Sequence, residues 1–315
     1  MRLETLLPLG KVDPGLRAPE VPLDLHAVAH DARLLEEIGY TGLVVEETKD
    51  DPYVLMALAA QATSRLRLGT SVAMAFPRSP TITAMSAWTL AKLSRGRFIL
   101  GLGPQVKAHI ERRYGLAWSP AGPWMREYVS AVRAVWRHWQ TGAKLDVQGP
   151  HYTINLMVPL FNPGPIEHPD IPVHLAAVNS VMCRVAGEVA DGIHVHPMHS
   201  MHYIKNRLLP GVAEGAARAN GGAGRDPKEV DLIVPVIVAA GDTPEERANP
   251  IQEAKTTIGF YGATPNYAFQ FDDLGHTGLR DQLRDCLKTN DNARVQTLIT
   301  DEILDQFAVV ARWDD

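Results

Sequence analysis

Four histidines lie within nine residues in the segment HVHPMHSMH: His194, His196, His199 and His202. A His-x-His pair at the end of a strand places two imidazoles on one face, which is a geometry that metal ions use. A metal-dependent hydrolase on a barrel is therefore one interpretation. The first strand-like run of the chain carries no histidine that would complete such a centre, so we expect no metal. We interpret the histidines as the wall of a substrate pocket or as exposed side chains.

A candidate anion site lies in the segment LAAVNSVMCRVAGEVADG. A strand ends at Ala177, and Asn179 and Ser180 begin a helix. The first N–H groups of a helix have no partner within it, and together with short polar side chains they bind phosphate groups well. The alternative is that Asn179 or Ser180 only caps the helix.

Two further strand ends carry candidate residues. GLGPQ, which begins at Gly101, resembles part of a glycine-rich phosphate loop, but Val106 replaces the last glycine, so the signal is weak. These glycines either let another group approach the backbone or let the chain turn. Glu46 and Glu47 end another strand, and one of them is a candidate general acid or hydrogen-bond partner for a substrate. We expect at least one of the two to be a solvated loop carboxylate.

Apolar strand-like runs alternate with helical periods along the chain. We predict seven strands: Leu3–Leu9, Leu43–Val45, Leu66–Val72, Phe98–Leu102, Val173–Ala177, Gly192–Val195 and Leu232–Ala239. Apolar strands that are each followed by a helix indicate a parallel sheet covered on both faces. Seven such units predict an α/β fold of the (β/α)8 TIM-barrel type, formed as a single domain by residues 1–315. Its chemistry is expected at the carboxyl ends of the strands.

Two segments depart from the regular alternation. Residues 142–170 are rich in proline and are interpreted as an insertion in the barrel. Near the carboxyl terminus, either FAVV (307–310) forms the eighth strand, or the last helix and strand are missing from this chain. We expect the second.

Composition limits the classes of partner. The chain has 315 residues and a formal net charge of -5, which argues against general affinity for nucleic acid or anionic membranes. It contains no run of 18 apolar residues and no apolar N-terminal stretch long enough for a signal peptide. The two cysteines, Cys183 and Cys286, are expected to be reduced core thiols of a cytoplasmic protein.

In combination, these segments resemble the luciferase-like monooxygenase superfamily. The likeness rests on GTSV, LSRGRFILGLGPQ and AAVNSVMCRVAGEVADG. QVKAHIERRYG, FNPGP and FYGATPNY resemble a branch of coenzyme F420-dependent oxidoreductases. The resemblance covers about residues 3–310, and it implies a luciferase-like TIM barrel with a deazaflavin across its mouth.

The resemblance also implies the cofactor contacts. The phosphate would lie at Val178, Asn179 and Ser180. The third strand of the family carries a bulge with a non-prolyl cis peptide behind the ring, which by position is the bond Ser71–Val72. The remaining predicted contacts are Thr70 and Ala73, which flank this bond, and Gln105, which follows the fourth strand.

The expected reaction is hydride transfer between coenzyme F420 and a small organic substrate. Glu47 and His109 are the predicted catalytic residues. One alternative is an FMN-dependent luciferase-like monooxygenase on the same scaffold. Alternatives from other classes are the metal-dependent hydrolase and a binding protein without a cofactor. We expect a homodimer, with no nucleic acid or membrane partner.

Overall fold

The computed structural model describes residues 2–9 and 22–314. Twelve strands occur in this part of the chain: β1 (Glu4–Leu7), β2 (Gly42–Val45), β3 (Arg67–Thr70), β4 (Ala73–Met74), β5 (Phe98–Gly103), β6 (Val147–Gln148), β7 (Thr153–Ile154), β8 (Val173–Ala176), β9 (Gly192–His194), β10 (Asp231–Ile233), β11 (Ile237–Ala240) and β12 (Ala308–Ala311). The main sheet is parallel and has the order β1-β2-β3-β5-β8-β9-β10, with β4 also paired to β5. This order is that of consecutive barrel strands, and it confirms the predicted α/β barrel type.

The described part contains thirteen helices, of which α9 to α13 follow one another between β11 and β12: α1 (Val28–Ile38), α2 (Pro52–Ala62), α3 (Pro80–Ser94), α4 (Lys107–Arg112), α5 (Ala121–Thr141), α6 (Ser180–Val189), α7 (Met201–Tyr203), α8 (Leu209–Ala216), α9 (Pro244–Gly262), α10 (Phe269–Asp273), α11 (Leu279–Lys288), α12 (Asn292–Leu298) and α13 (Asp301–Phe307). A π-helical segment, Ile204–Leu208, joins α7 to α8. No helix within residues 2–9 and 22–314 combines the length and the apolar character that crossing a membrane requires.

Local sequence signals account for several helix ends. Asp51 accepts hydrogen bonds from the N–H groups of Tyr53 and Val54, and Pro52 occupies the first turn of α2. Gly39 ends α1 with φ of 99°, a left-handed conformation that glycine adopts without a steric penalty. These ends fix where the chain enters and leaves the sheet.

The eighth strand is present, so the expectation that it is missing was wrong. Ala308–Ala311 form β12, which pairs in parallel with β11. Thr300 caps α13, whose buried Phe307 ends the helix directly before the strand. The seventh predicted strand is divided into β10 and β11 at Val234–Val236, where Pro235 lacks the N–H that a sheet ladder needs. In the described residues, β12 shows no pairing with β1.

The core has two parts. The larger hydrophobic cluster fills the barrel and the space under α1 to α8, and a smaller cluster lies among α9 to α13. Cys183 and Cys286 are both free and buried, as predicted. The predicted insertion contains the antiparallel hairpin β6–β7 and a short 3-10 turn at Pro159–Phe161. It therefore lies outside the parallel sheet.

Candidate active site

A cavity of about 1520 Å³ opens at the carboxyl ends of the strands. Residues that follow β2, β3, β5, β8 and β9 all contribute to its wall, as expected for a barrel of this type. Five of the eight predicted cofactor contacts line it: Ser71, Val72, Gln105, Val178 and Asn179. Thr70, Ala73 and Ser180 lie next to these residues in the chain but do not line the cavity.

The segment between β3 and β4 forms one part of the wall. The Ser71–Val72 peptide bond is cis, which confirms the prediction made from the resemblance. Thr70 is fully buried, and its hydroxyl donates to the carbonyl of Gly101 at 2.6 Å and accepts from the N–H of Gly101 at 2.9 Å. Thr70 therefore fastens the end of β3 to β5, while Ser71 and Val72 face the cavity.

The two glycines of GLG are explained by contacts within the protein. A Cβ atom on Gly101 would lie 1.8 Å from the carbonyl oxygen of Thr70, and one on Gly103 would lie 2.5 Å from Cγ2 of Val72. Either side chain would collide with the segment that forms the cavity wall. Of the two interpretations offered above, close approach to the backbone is therefore correct. The approaching group is the neighbouring strand segment.

His194 supports this wall from inside the barrel. Its Nδ1 lies 3.1 Å from Oγ of Ser71, and its buried Nε2 has no hydrogen-bond partner in the described part of the chain. The ring of His174 lies 5.4 Å away, centroid to centroid. Burial is the main cause, and the charge of neighbouring His174 the lesser cause, that lowers the pKa of His194 to about 3. Burial, followed by the charge of Arg67, lowers the pKa of His174 to about 4. Both rings are therefore neutral at neutral pH.

The start of α6 has the form of the predicted anion site. The side chain of Asn179 accepts a hydrogen bond from the N–H of Met182 at 2.9 Å, which is ordinary capping. The N–H of Cys183 bonds to the carbonyl of Asn179. The N–H groups of Ser180 and Val181 show no partner in the described part of the chain, and both residues are exposed. Capping and phosphate binding are thus compatible here.

The predicted catalytic residues have contrasting positions. Glu47 lines the cavity, and its Oε2 accepts from Arg78 at 2.6 Å and from the N–H of Met74 at 2.7 Å. Because this oxygen is held by a cation and a backbone donor, it stabilises the segment around β4. His109 is exposed on α4 and does not line the cavity, so the structure gives its acid–base role no support. Gln105 lines the cavity, and its Oε1 accepts from the N–H of Val106.

The histidine-rich segment contributes His196 to the cavity wall. Its ring stacks on Tyr267 with centroids 3.9 Å apart and meets Tyr261 edge-on at 4.6 Å. Within the described residues, no three side chains of His, Cys, Asp or Glu are grouped so as to hold a metal ion. The two tyrosines come from the segment FYGATPNY, whose role at the site could not be recognised without the fold.

This geometry agrees with the comparisons to known proteins. The sequence profile of the luciferase-like monooxygenase family matches residues 2–315. The chain belongs to the luciferase-like monooxygenase family. At the level of this family it is an enzyme and an oxidoreductase, as the sequence predicted. The carboxyl-end cavity is therefore its candidate active site.

Similar proteins extend over most of the chain. An uncharacterized protein of Mycobacterium tuberculosis is 40% identical over 294 residues, which cover 93% of this chain and 85% of that protein. A 5,10-methylenetetrahydromethanopterin reductase of Methanolobus tindarius is 27% identical over 291 residues, which cover 91% and 83%. The structure of a coenzyme F420-dependent tetrahydromethanopterin reductase of Methanopyrus kandleri matches with a TM-score of 0.75 and 21% identity, covering 100% of this chain and 86% of that one. The last comparison supports the fold.

Proposed function

We propose that the protein transfers hydride between coenzyme F420 and an organic substrate bound in the carboxyl-end cavity. This proposal rests on the observation that one cavity is lined by Ser71, Val72, Gln105, Val178 and Asn179. The family resemblance implies that these same five residues are cofactor contacts. The similarity to a putative coenzyme F420-dependent oxidoreductase of Mycobacterium tuberculosis, 30% identical over 320 residues, supports the choice of this cofactor over FMN.

The residues present fit a cofactor with a planar ring and a phosphate. The cavity holds about 1520 Å³, and a helix N-terminus with two available N–H groups opens onto its rim beside Asn179. His194, which also lines the cavity, places its Nδ1 beside Ser71, and its buried Nε2 has no partner in the described part of the chain. When bound, the deazaflavin supplies the hydride chemistry.

The protein's own contribution is binding and orientation. Ser71 and Val72 form a wall whose backbone is fixed by Thr70, and this fixed wall would hold one face of the ring in place. The N–H groups of Ser180 and Val181 would bind the phosphate. Glu47 keeps the segment around β4 in position through Arg78.

A binding titration tests the choice of cofactor. The purified protein is titrated separately with F420 and with FMN, and the fluorescence of each ring is followed. We expect saturable binding of F420. Riboflavin, which lacks the phosphate of FMN, shows whether any flavin binding depends on the anion site. Binding of FMN without binding of F420 would overturn the proposal and favour the monooxygenase. The substrate and the homodimeric state remain predictions.

A further inference from the structure

The protonation state of the His196 ring follows from its hydrogen bonds. The N–H of Met198 points at Nδ1 from 3.1 Å, and a backbone N–H can only donate. Nδ1 is therefore the acceptor, and the proton of the neutral ring lies on Nε2. Burial lowers the pKa of His196 to about 4, so the ring is neutral at neutral pH. Nε2 has no protein partner in the described part of the chain, and the residue lines the cavity.

The ring is held in a fixed orientation. Tyr267 stacks on the ring at an interplanar angle of 21°, and Tyr261 contacts it edge-on at an interplanar angle of 88°. The segment that follows is fixed as well, because the buried Gln270 donates to the carbonyl of Met198 at 2.8 Å and accepts from the N–H of Ser200 at 3.2 Å. A donor positioned in this way loses little conformational freedom when it binds a ligand.

The cations that line the cavity are paired, and two of them, Arg2 and Arg67, lie at the amino ends of strands, whereas His196 follows the carboxyl end of β9. In the described part of the chain, three Lys or Arg side chains line the cavity, and each lies within 4 Å of a carboxylate: Arg2 and Asp231 at 2.7 Å, Arg67 and Glu4 at 3.9 Å, Lys107 and Glu111 at 3.7 Å. Glu46 and Glu47 line it as well. Among the described residues, a phosphorylated or carboxylate substrate would meet no Lys or Arg side chain in the cavity that is not already paired with a carboxylate.

We propose that His196 binds the substrate, donating a hydrogen bond from Nε2–H to the oxygen of an uncharged carbonyl or hydroxyl compound. This inference rests on the proposed function, since it assigns the substrate class of the same cavity. Val236, Val238 and Phe269 also line the cavity and provide apolar contacts for the rest of such a molecule. The site thus combines one neutral donor with aromatic and aliphatic walls.

Direct binding of simple probes tests the assignment. Cyclohexanone, cyclohexanol and cyclohexyl phosphate share a ring and differ in the polar group. Their affinities are measured by calorimetry for the cofactor-free and the F420-loaded protein at neutral pH. His196→Phe keeps a ring against Tyr267 but removes the donor, and His196→Gln restores a donor and an acceptor. His202→Gln is the matched control, because His202 is exposed and does not line the cavity.

We expect cyclohexanone or cyclohexanol to bind, and in the F420-loaded protein, whose anion site is filled, we expect cyclohexyl phosphate to bind more weakly than either. His196→Phe should weaken binding about fivefold to tenfold, the effect of one neutral hydrogen bond. His196→Gln should recover part of the loss, and His202→Gln should change nothing. Failure of both uncharged probes to bind the wild type in either state would overturn the proposal. Tighter binding of cyclohexyl phosphate than of the uncharged probes by the F420-loaded protein, or unchanged affinity of the uncharged probes in His196→Phe, would do the same.

The same samples separate this inference from the proposed function. F420 binding is measured by fluorescence before the probes are added. A protein that binds no F420 but binds cyclohexanone in a His196-dependent manner would refute the cofactor assignment and support the role of His196. A protein that binds F420 but shows no His196 dependence would refute the role of His196 alone.

Discussion

Replacing Gly101 with alanine should disturb the cavity wall more than any conservative change elsewhere in β5. The new Cβ would lie 1.8 Å from the carbonyl oxygen of Thr70 and 2.9 Å from Nε2 of His194. Real Cβ contacts essentially never fall below 3.0 Å, so the two strands must separate by about 1.2 Å. The obstructing atom belongs to the backbone and cannot rotate away. Overpacking of a core typically costs 1–3 kcal/mol, and we expect a loss of about 2–3 kcal/mol in unfolding free energy.

Urea unfolding and F420 titration measure the two consequences of this change. The backbone of Thr70 leads directly into Ser71 and Val72, so its displacement should also weaken F420 binding by at least tenfold. Gly69→Ala is the matched control on the adjacent strand, because its Cβ would meet nothing closer than 3.4 Å. It should be neutral or stabilise by up to about 1 kcal/mol. If the Gly101→Ala variant has the same unfolding free energy and the same F420 affinity as the wild type, the role assigned to this glycine is refuted.

Three further changes probe the same region. Ser180→Asp sets a negative charge beside the anion site and should lower F420 affinity at least tenfold, whereas Ser130→Asp on an exposed face of α5 should not change it. If both variants bind F420 as tightly as the wild type, Asn179 and Ser180 serve only to cap α6. Thr70→Val removes the hydroxyl that bridges β3 and β5 and should lower the unfolding free energy, measured with urea, by about 2–3 kcal/mol. Thr70→Ser keeps the hydroxyl and should retain most of that stability. His174 and His194 have folded pKa values below 6.5, so the unfolded chain takes up protons first as the pH is lowered. The unfolding free energy should therefore decrease when the pH is lowered from 6.5 to 4. His174→Gln should reduce that slope by up to about 1.4 kcal/mol per pH unit, and an unchanged slope would contradict the assignment.

Strand ends were the most predictable part of the site. The apolar runs before Glu46, Gly69 and Val178 are interrupted by polar or small residues, and in a parallel barrel such interruptions converge at one face. That reasoning needs only local patterns and one rule of topology. It placed the cavity at the correct end of the barrel, whereas the individual cofactor contacts came from the family resemblance and stay predictions.

The structural features that local sequence patterns did not reveal depend on contacts between residues distant in sequence. The four residues of β12 are a strand because they pair with β11, some 70 residues earlier, and no local pattern reveals such a partner. His109 was selected for its chemistry and its position after GLGPQ; it is exposed on α4 outside the cavity lining, and its catalytic role stays a prediction. Conversely, Tyr267 was only part of a recognised segment, and its contact with His196 exists only in the folded chain.

The residues that shape the cavity are mostly fixed by others that do not line it. Thr70 holds the backbone of the Ser71 segment through two hydrogen bonds, and Gln270 holds the segment after His196 in the same way. Both are buried polar side chains whose hydrogen bonds go to backbone groups, so their removal would leave backbone donors or acceptors unsatisfied. Substitutions at Ser71 or His196 should therefore change which ligand binds. Substitutions at Thr70 or Gln270 should weaken every ligand together, because they release the wall itself.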